Sequence, residues 1–189
     1  MLNLKFPILL ASKSPRRQEL LTLMDLDFEV MLKDVDESYP EGLAPHEIAL
    51  YISEKKARAF MDDKLEALVI TADTIVALNG EILGKPRDAE HAKEMLMKLS
   101  NTTHEVYTGV SLAMHDQVST FYDRTSVTFK PLSAEQIDYY ILHYKPFDKA
   151  GSYGIQDWLG MVAISKIEGS YTNVMGLPTE KLYNALAAL

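Results

Sequence analysis

No cysteine occurs among the 189 residues, which removes disulfides, thiolate zinc sites and cysteine nucleophiles together. Histidine is scarce. The five, at positions 46, 91, 104, 115 and 143, keep no HExxH-like spacing, which argues against a histidine-bound zinc and leaves a metal held by carboxylates as the open form. Positive charge is in deficit, with 19 Lys and Arg against 27 Asp and Glu for a formal net charge of −8. That balance lacks the basic footprint of a nucleic-acid binder. It also repels anions at long range, so an anionic substrate needs local cations or a bound metal. Long apolar runs are missing as well. Residues 6–11 are too short for a signal-peptide core and pass straight into Ser-Lys-Ser-Pro-Arg-Arg, and no run approaches the roughly 18 residues of a membrane span. A cytoplasmic location without membrane contact is the expectation.

What is present is ordinary globular material, 47% hydrophobic and 24% charged. The length supports one sizeable core, and with no repeat, low-complexity stretch or linker a single domain over residues 1–189 is expected. Residues 7–11 read as a short buried strand, Ser14 as an N-cap, Pro15 as the first helical residue and 16–24 as a helix. A strand at 28–32 leads to an acidic loop, and a helix runs from Pro45 to Asp62. Residues 68–78 form an apolar strand, closed by the type I′ hairpin signal Asn79-Gly80. Asp88 caps a helix ending near Leu99, and 104–114 and 117–129 pair as strands. Ser133 with Gln136 makes a capping box for a helix through His143. A strand at 161–167 and a helix begun by Pro178 complete the chain. Helices alternating with strands and hairpins imply an α/β fold, a mixed sheet flanked by helices.

Five segments carry chemistry. In Ala11-Ser-Lys-Ser-Pro-Arg-Arg17 a helix start holds three cations within five positions. That placement is unfavourable by roughly 0.3–1 kcal/mol per exposed cation, and an anion bound by Ser12, Ser14, Arg16, Arg17 and the free amides would reverse it. A solvated helix start with paired arginines is the alternative. In Val69-Ile-Thr-Ala-Asp73-Thr-Ile-Val76 an aspartate interrupts an apolar, β-branched strand, a costly place unless it is paired, metal-bound or catalytic; a kink or a core salt bridge would also account for it. Gly84-Lys-Pro-Arg-Asp88 follows the hairpin, which folds Lys85 back toward the Asp73 strand. The acidic loop brings Asp36 and Glu37, and the helix after it brings Lys56; both are common surface features. Asp148-Lys-Ala-Gly-Ser-Tyr-Gly-Ile-Gln156 combines two glycines three apart with a glutamine, whose amide suits the edge of a uracil or thymine ring; a tight turn into a strand is the alternative.

Taken in order, these segments resemble the Maf family of nucleotide pyrophosphatases. The likeness runs through Leu10-Ala-Ser-Lys-Ser-Pro-Arg-Arg17, Val35-Asp-Glu37, Glu54-Lys-Lys-Ala57, Thr71-Ala-Asp-Thr74 and Gly84-Lys-Pro86. It continues in Lys149-Ala-Gly-Ser-Tyr-Gly-Ile-Gln156, Ile167-Glu-Gly-Ser-Tyr171 and Gly176-Leu-Pro178. Each motif is weak alone; together, in order, they are specific. The resemblance implies two lobes around a central cleft, a fold similar to that of inosine triphosphate pyrophosphatase, and cleavage between the α- and β-phosphates. By position, Asp73 matches the catalytic base, and Ser12, Arg16, Glu37, Lys56 and Lys85 match other active-site residues. Arg16, Thr74 and Gln156 match positions diagnostic for the dTTP/UTP subgroup. A sister subgroup acting on 7-methyl-GTP carries Cys/Ser-Glu-Gly-Leu-Gly where this chain has Gly154-Ile-Gln156. Trp158 stands where smaller residues are common, which would narrow the base pocket, and Met175 replaces a usual valine.

The resulting expectation is metal-assisted hydrolysis of dTTP and UTP to the monophosphate and pyrophosphate. Asp73 is the base, Mg²⁺ or Mn²⁺ is held by Glu37 and Asp73, and Arg16, Lys56 and Lys85 stabilise phosphate charge. The partner is a nucleoside triphosphate, and a homodimer is expected by family analogy. Two other readings stay open: a nucleotide-binding regulator of cell division without chemistry, and a housecleaning enzyme for modified nucleotides.

Overall fold

A computed structural model of the chain describes Leu2 and residues 4–189. The strands are β1 (Ile8–Leu10), β2 (Glu29–Val30), β3 (Leu68–Leu78), β4 (Glu81–Leu83), β5 (Thr103–Met114), β6 (Gln117–Phe129) and β7 (Ile164–Glu168). The helices are α1 (Pro15–Leu23), α2 (Pro45–Arg58), α3 (Ala89–Leu99), α4 (Ala134–Tyr144), α5 (Trp158–Ala163), α6 (Tyr171–Met175) and α7 (Thr179–Ala187). One sheet runs β2-β1-β3-β5-β6-β7, with β4 also on β3. Pairings of β1 with β2 and β3 are parallel, and the others are antiparallel. This is the mixed sheet flanked by helices that the alternating pattern implies.

Side chains alternate across β3, so the sheet is buried on both faces. Leu68, Ile70, Ala72 and Val76 join the large core with Leu20 and Leu21 of α1, Leu96 and Leu99 of α3, and Ile137 and Tyr140 of α4. On the opposite face Val69 packs with Ala57 and Phe60, and Ile75 packs with Ile48, Ala49 and Ile52 of α2. Helix α2 lies unusually close to the sheet because β5 offers Gly109 there. A Cβ at Gly109 would come within 2.4 Å of the Ala49 backbone, a separation no side chain tolerates.

The Asn79-Gly80 hairpin forms as expected, with positive φ at both residues, 51° and 86°. Three expectations shift. The strand placed at 28–32 is only Glu29–Val30. The helix placed at 45–62 ends at Arg58, and a separate 3-10 turn covers Met61–Asp63. The strand placed at 161–167 begins at Ile164, because residues 158–163 are helical. Gly160 permits this: a Cβ there would sit 1.8 Å from the Ile155 carbonyl oxygen, so α5 presses directly on the preceding turn.

Candidate active site

The sheet itself makes room for the site. On one edge β3 pairs with β5 continuously from Val69 to Ala77. On its other edge β1 covers Leu68–Ile70 and β4 covers Val76–Leu78. Residues 71–75 therefore have a free edge, flanked by two strands that hold it open. A cleft of about 450 Å³ opens there, lined by Asp73 and Thr74, by residues 11–17, 32–35 and Glu37, and by residues 148–150, Tyr153, Gly154 and Gln156.

An unpaired strand edge leaves backbone groups without ladder partners, and Arg17 takes one of them. Its Nη1 donates to the Ala72 carbonyl at 2.9 Å and to Ser12 Oγ at 3.2 Å. Nη2 donates to Thr74 Oγ1 at 3.1 Å, and Nε to the Gly176 carbonyl at 2.8 Å. Burial lowers the Arg17 pKa and outweighs the opposing pull of Asp73; the four hydrogen bonds are what make the burial tolerable. Arg17 thus grips Ala72 and Thr74, the two residues flanking Asp73. Four of its five N–H groups are thereby spent on the protein itself. Thr74 is committed too. Thr108 Oγ1 donates to the Asn173 carbonyl, so in the Thr74–Thr108 pair at 3.0 Å the hydrogen comes from Thr74. Both residues expected to bind substrate line the cleft, but they chiefly hold the strand. Ser12 Oγ accepts from Arg17 and from the Ser14 amide at 3.2 Å, leaving its own hydrogen to donate. The Ser14 side chain does not cap α1, and no acid occupies the first helical turn, so the helix start keeps free amides.

Asp73 projects from the α2 face of β3. Lys56, near the end of α2, reaches it with Nζ 2.8 Å from Oδ1 and at the same time lies 2.7 Å from Glu37 Oε1. Burial alone would raise the Glu37 carboxyl. The Lys56 hydrogen bond and charge, with Lys85 and Arg17 nearby, overcome it and hold the pKa below the ordinary value, so Glu37 is ionised at neutral pH. One ammonium between two carboxylates leaves the trio with a net negative charge, which a cation would offset. Among the described residues no cluster of three or more His, Asp or Glu forms a ready metal cage. Glu37 and Asp73 are oxygen donors of the kind Mg²⁺ takes, but the point on which both converge is filled by the Lys56 ammonium, which would have to yield for both to hold a cation.

The acidic loop divides. Glu37 lines the cleft, whereas Asp36 turns outward to Ser38 and Lys55, partners that lower its pKa to about 2. Lys85 lines the cleft, as the hairpin implies. Arg16 also lines it and pairs through Nη1 with Asp148 Oδ2 at 3.1 Å. Gln156 lines the opposite wall with Oε1 buried and unpartnered. Trp158 is not in the lining. It packs edge-on against Tyr139 at 4.9 Å and so does not narrow the pocket, contrary to expectation, because α5 carries it to the far side. Seven Lys and Arg against four Asp and Glu line the cleft, local positive charge on a chain whose net charge is −8.

The Maf-like protein family model matches residues 7–189. The chain belongs to the Maf-like family. Among its relatives are a dTTP/UTP pyrophosphatase of Flavobacterium johnsoniae, 52% identical over 98% of this chain and 96% of that protein, and one of Flavobacterium psychrophilum, 54% identical over 97% and 96%. A third, from Bacteroides thetaiotaomicron, bears the same name and is 49% identical over 98% and 97%. A HAM1 protein from Coxiella burnetii shares the architecture, with a TM-score of 0.55 and 13% identity over 97% of this chain and 100% of that one, in keeping with the fold that the sequence resemblance implies. Among the described residues of this Maf-like chain no helix is long and apolar enough to cross a membrane. Lys149, which lines the cleft and lies 3.7 Å from Asp157, stands in the 148–156 segment without a role of its own, and Asp157 lies just outside it. Each looks like a surface charge, and only its spacing from Gln156 hints otherwise.

Proposed function

We propose that this chain hydrolyses dTTP and UTP to the monophosphate and pyrophosphate. The reading rests on one observation: Asp73 stands on the free stretch of β3 in a cation-lined cleft, its carboxylate within reach of both solvent and Lys56. The names borne by relatives of about half identity support it. A binding protein needs the cations but not a carboxylate held at the floor among them.

Asp73 accepts a proton from the attacking water. Lys56 fixes the Asp73 carboxylate and, with Lys85 and Arg16, meets the negative charge that grows on the phosphates. Ser12 donates its free hydroxyl hydrogen, and the uncapped start of α1 offers amides to a phosphate oxygen. Arg17 and Thr74 keep Asp73 in place from behind. Glu37 and Asp73 would hold a divalent cation, Mg²⁺ or Mn²⁺, which when bound supplies positive charge to the phosphates. Gln156 faces the base.

Pyrophosphate release from dTTP, UTP, CTP, dATP, GTP and 7-methyl-GTP, each with Mg²⁺, Mn²⁺ or EDTA, tests this. Metal-dependent release from dTTP and UTP is expected. Release from purine nucleotides alone would keep the chemistry and sink the base assignment, and no release by folded protein would favour a binding role.

A further inference from the structure

The wall that carries Gln156 is a four-residue turn with little slack. It is closed by the Asp157 amide donating to the Gly154 carbonyl at 3.1 Å. Tyr140, fully buried on α4, fastens both ends: its hydroxyl accepts from the Gly154 amide at 3.0 Å and donates to Asp157 Oδ2 at 2.6 Å. Burial, with the Asp157 carboxylate beside it, raises the phenol well above its ordinary value, so it remains a donor. A Cβ at Gly154 would lie 2.6 Å from Asp157 Oδ2, so a side chain there would push that carboxylate away from Tyr140. Ile155 is buried in the core. Between these anchors only Gln156 is free to face the cleft, and its buried Oε1 has no protein partner. An N–H on a ligand would satisfy that oxygen. The N3–H of uracil or thymine is such a donor; cytosine has an acceptor at N3 and its donor at the 4-amino group, so telling the two apart depends on where the turn holds Oε1.

We propose that Tyr140 and Asp157 are positioning residues for base selection, their hydroxyl–carboxylate pair fixing the turn that presents Gln156 to the ring edge. The inference rests on the pyrimidine nucleotide reading given above. The same carboxylate is tied onward. Lys149 lies 3.7 Å from Asp157 and 3.0 Å from Asp148, which holds Arg16 at the start of α1. The turn is thereby linked to the opposite side of the cleft.

Steady-state kinetics with UTP and CTP, which differ only at the ring edge, test this in wild type, Y140F, D157N and D157A, with thermal denaturation of each. Y140F is expected to lower UTP kcat/KM by about 10- to 100-fold, through KM more than kcat, and to shrink the UTP:CTP preference. D157N keeps an oxygen for the Tyr140 hydroxyl and should retain most of the preference; D157A should lose it. Folded variants with lower Tm but an unchanged UTP:CTP ratio would overturn the proposal, since a purely structural role predicts that result. Should Y140F fail to fold, the contrast between D157N and D157A decides the matter in the same way. A wild-type protein that turns over UTP and CTP equally, or neither, refutes the substrate reading itself and is told apart by needing no variant.

Discussion

The two ends of the cleft are fastened by different means. At the Asp73 end the restraints are ionic and redundant: Arg17 makes four hydrogen bonds around one strand edge, and Lys56 bridges two carboxylates. At the Gln156 end one neutral hydroxyl, that of Tyr140, holds both ends of a turn. Charges suit the first end because the group they orient is itself charged and reacts. A phenol suits the second, because it occupies the Asp157 carboxylate and leaves no unpaired charge beside a neutral base, where one would cost desolvation without telling one ring edge from another. Damage at the first end should therefore appear in kcat and damage at the second in substrate preference.

The sharpest cut through the first end is Asp73→Asn. The amide still accepts from Lys56, so the fold should persist while kcat falls by about 10²–10⁴-fold, as expected for loss of a general base; circular dichroism and single-turnover rates check both halves. An unfolded variant would make Asp73 structural and erase the contrast. Arg17→Lys comes next. A lysine cannot reach Gly176, Ala72, Ser12 and Thr74 together, so Asp73 should shift and kcat drop about 10²-fold. Denaturant titration should show a loss on the order of 2–3 kcal/mol from the unpaired carbonyls. If KM alone rose, Arg17 would be a plain phosphate ligand. Gly109→Ala is smaller. It forces the Ala49 backbone away from β5, costing about 1–3 kcal/mol, and it moves α2 and with it Lys56, so kcat should fall while UTP:CTP preference holds.

Much of this arrangement was legible in the sequence, for a physical reason. Asp73 in an apolar strand and Arg16-Arg17 at a helix start each break a local rule, and broken rules stand out against a regular background. The hairpin that returns Lys85 was readable from Asn79-Gly80. The free edge of β3 was not, because it follows from where β1 and β4 stop, and pairing between distant segments leaves no local trace. Local pattern alone could not divide Glu37 from Asp36, adjacent acids in a loop whose direction is set by Lys56 and Lys55 on α2; only the family resemblance singled out Glu37. The short helices α5 and α6 were missed because six and five residues hold too little periodicity. Arg17 and Thr74 were read as ligand-binding from their company, although most of their donors serve the protein.

The smallest expected effect belongs to the second end and depends on pH. His104 is buried beneath the cleft wall, its Nε2 2.7 Å from the hydroxyl of Tyr153, a cleft-lining residue. Burial pushes its pKa down to about 4 from 6.5. A depressed histidine favours the native state while neutral. As pH falls below 6.5 the unfolded chain takes up a proton that the folded one refuses, so stability is lost through that window until the folded pKa is reached. The loss is about 1 kcal/mol by pH 6 and on the order of 3 kcal/mol by pH 4. His104→Gln, which can still bond to Tyr153 but does not titrate there, removes this contribution. Urea titrations of both proteins from pH 8 to pH 4.5 should show wild type losing ground to the variant only below pH 6.5. Because the folded protein keeps His104 neutral down to pH about 4, UTP:CTP preference, a property of the native state, should hold across that range while stability falls. A UTP:CTP preference that weakened below pH 6.5 would show instead that His104 takes up its proton in the native state and disturbs the Gln156 end through Tyr153.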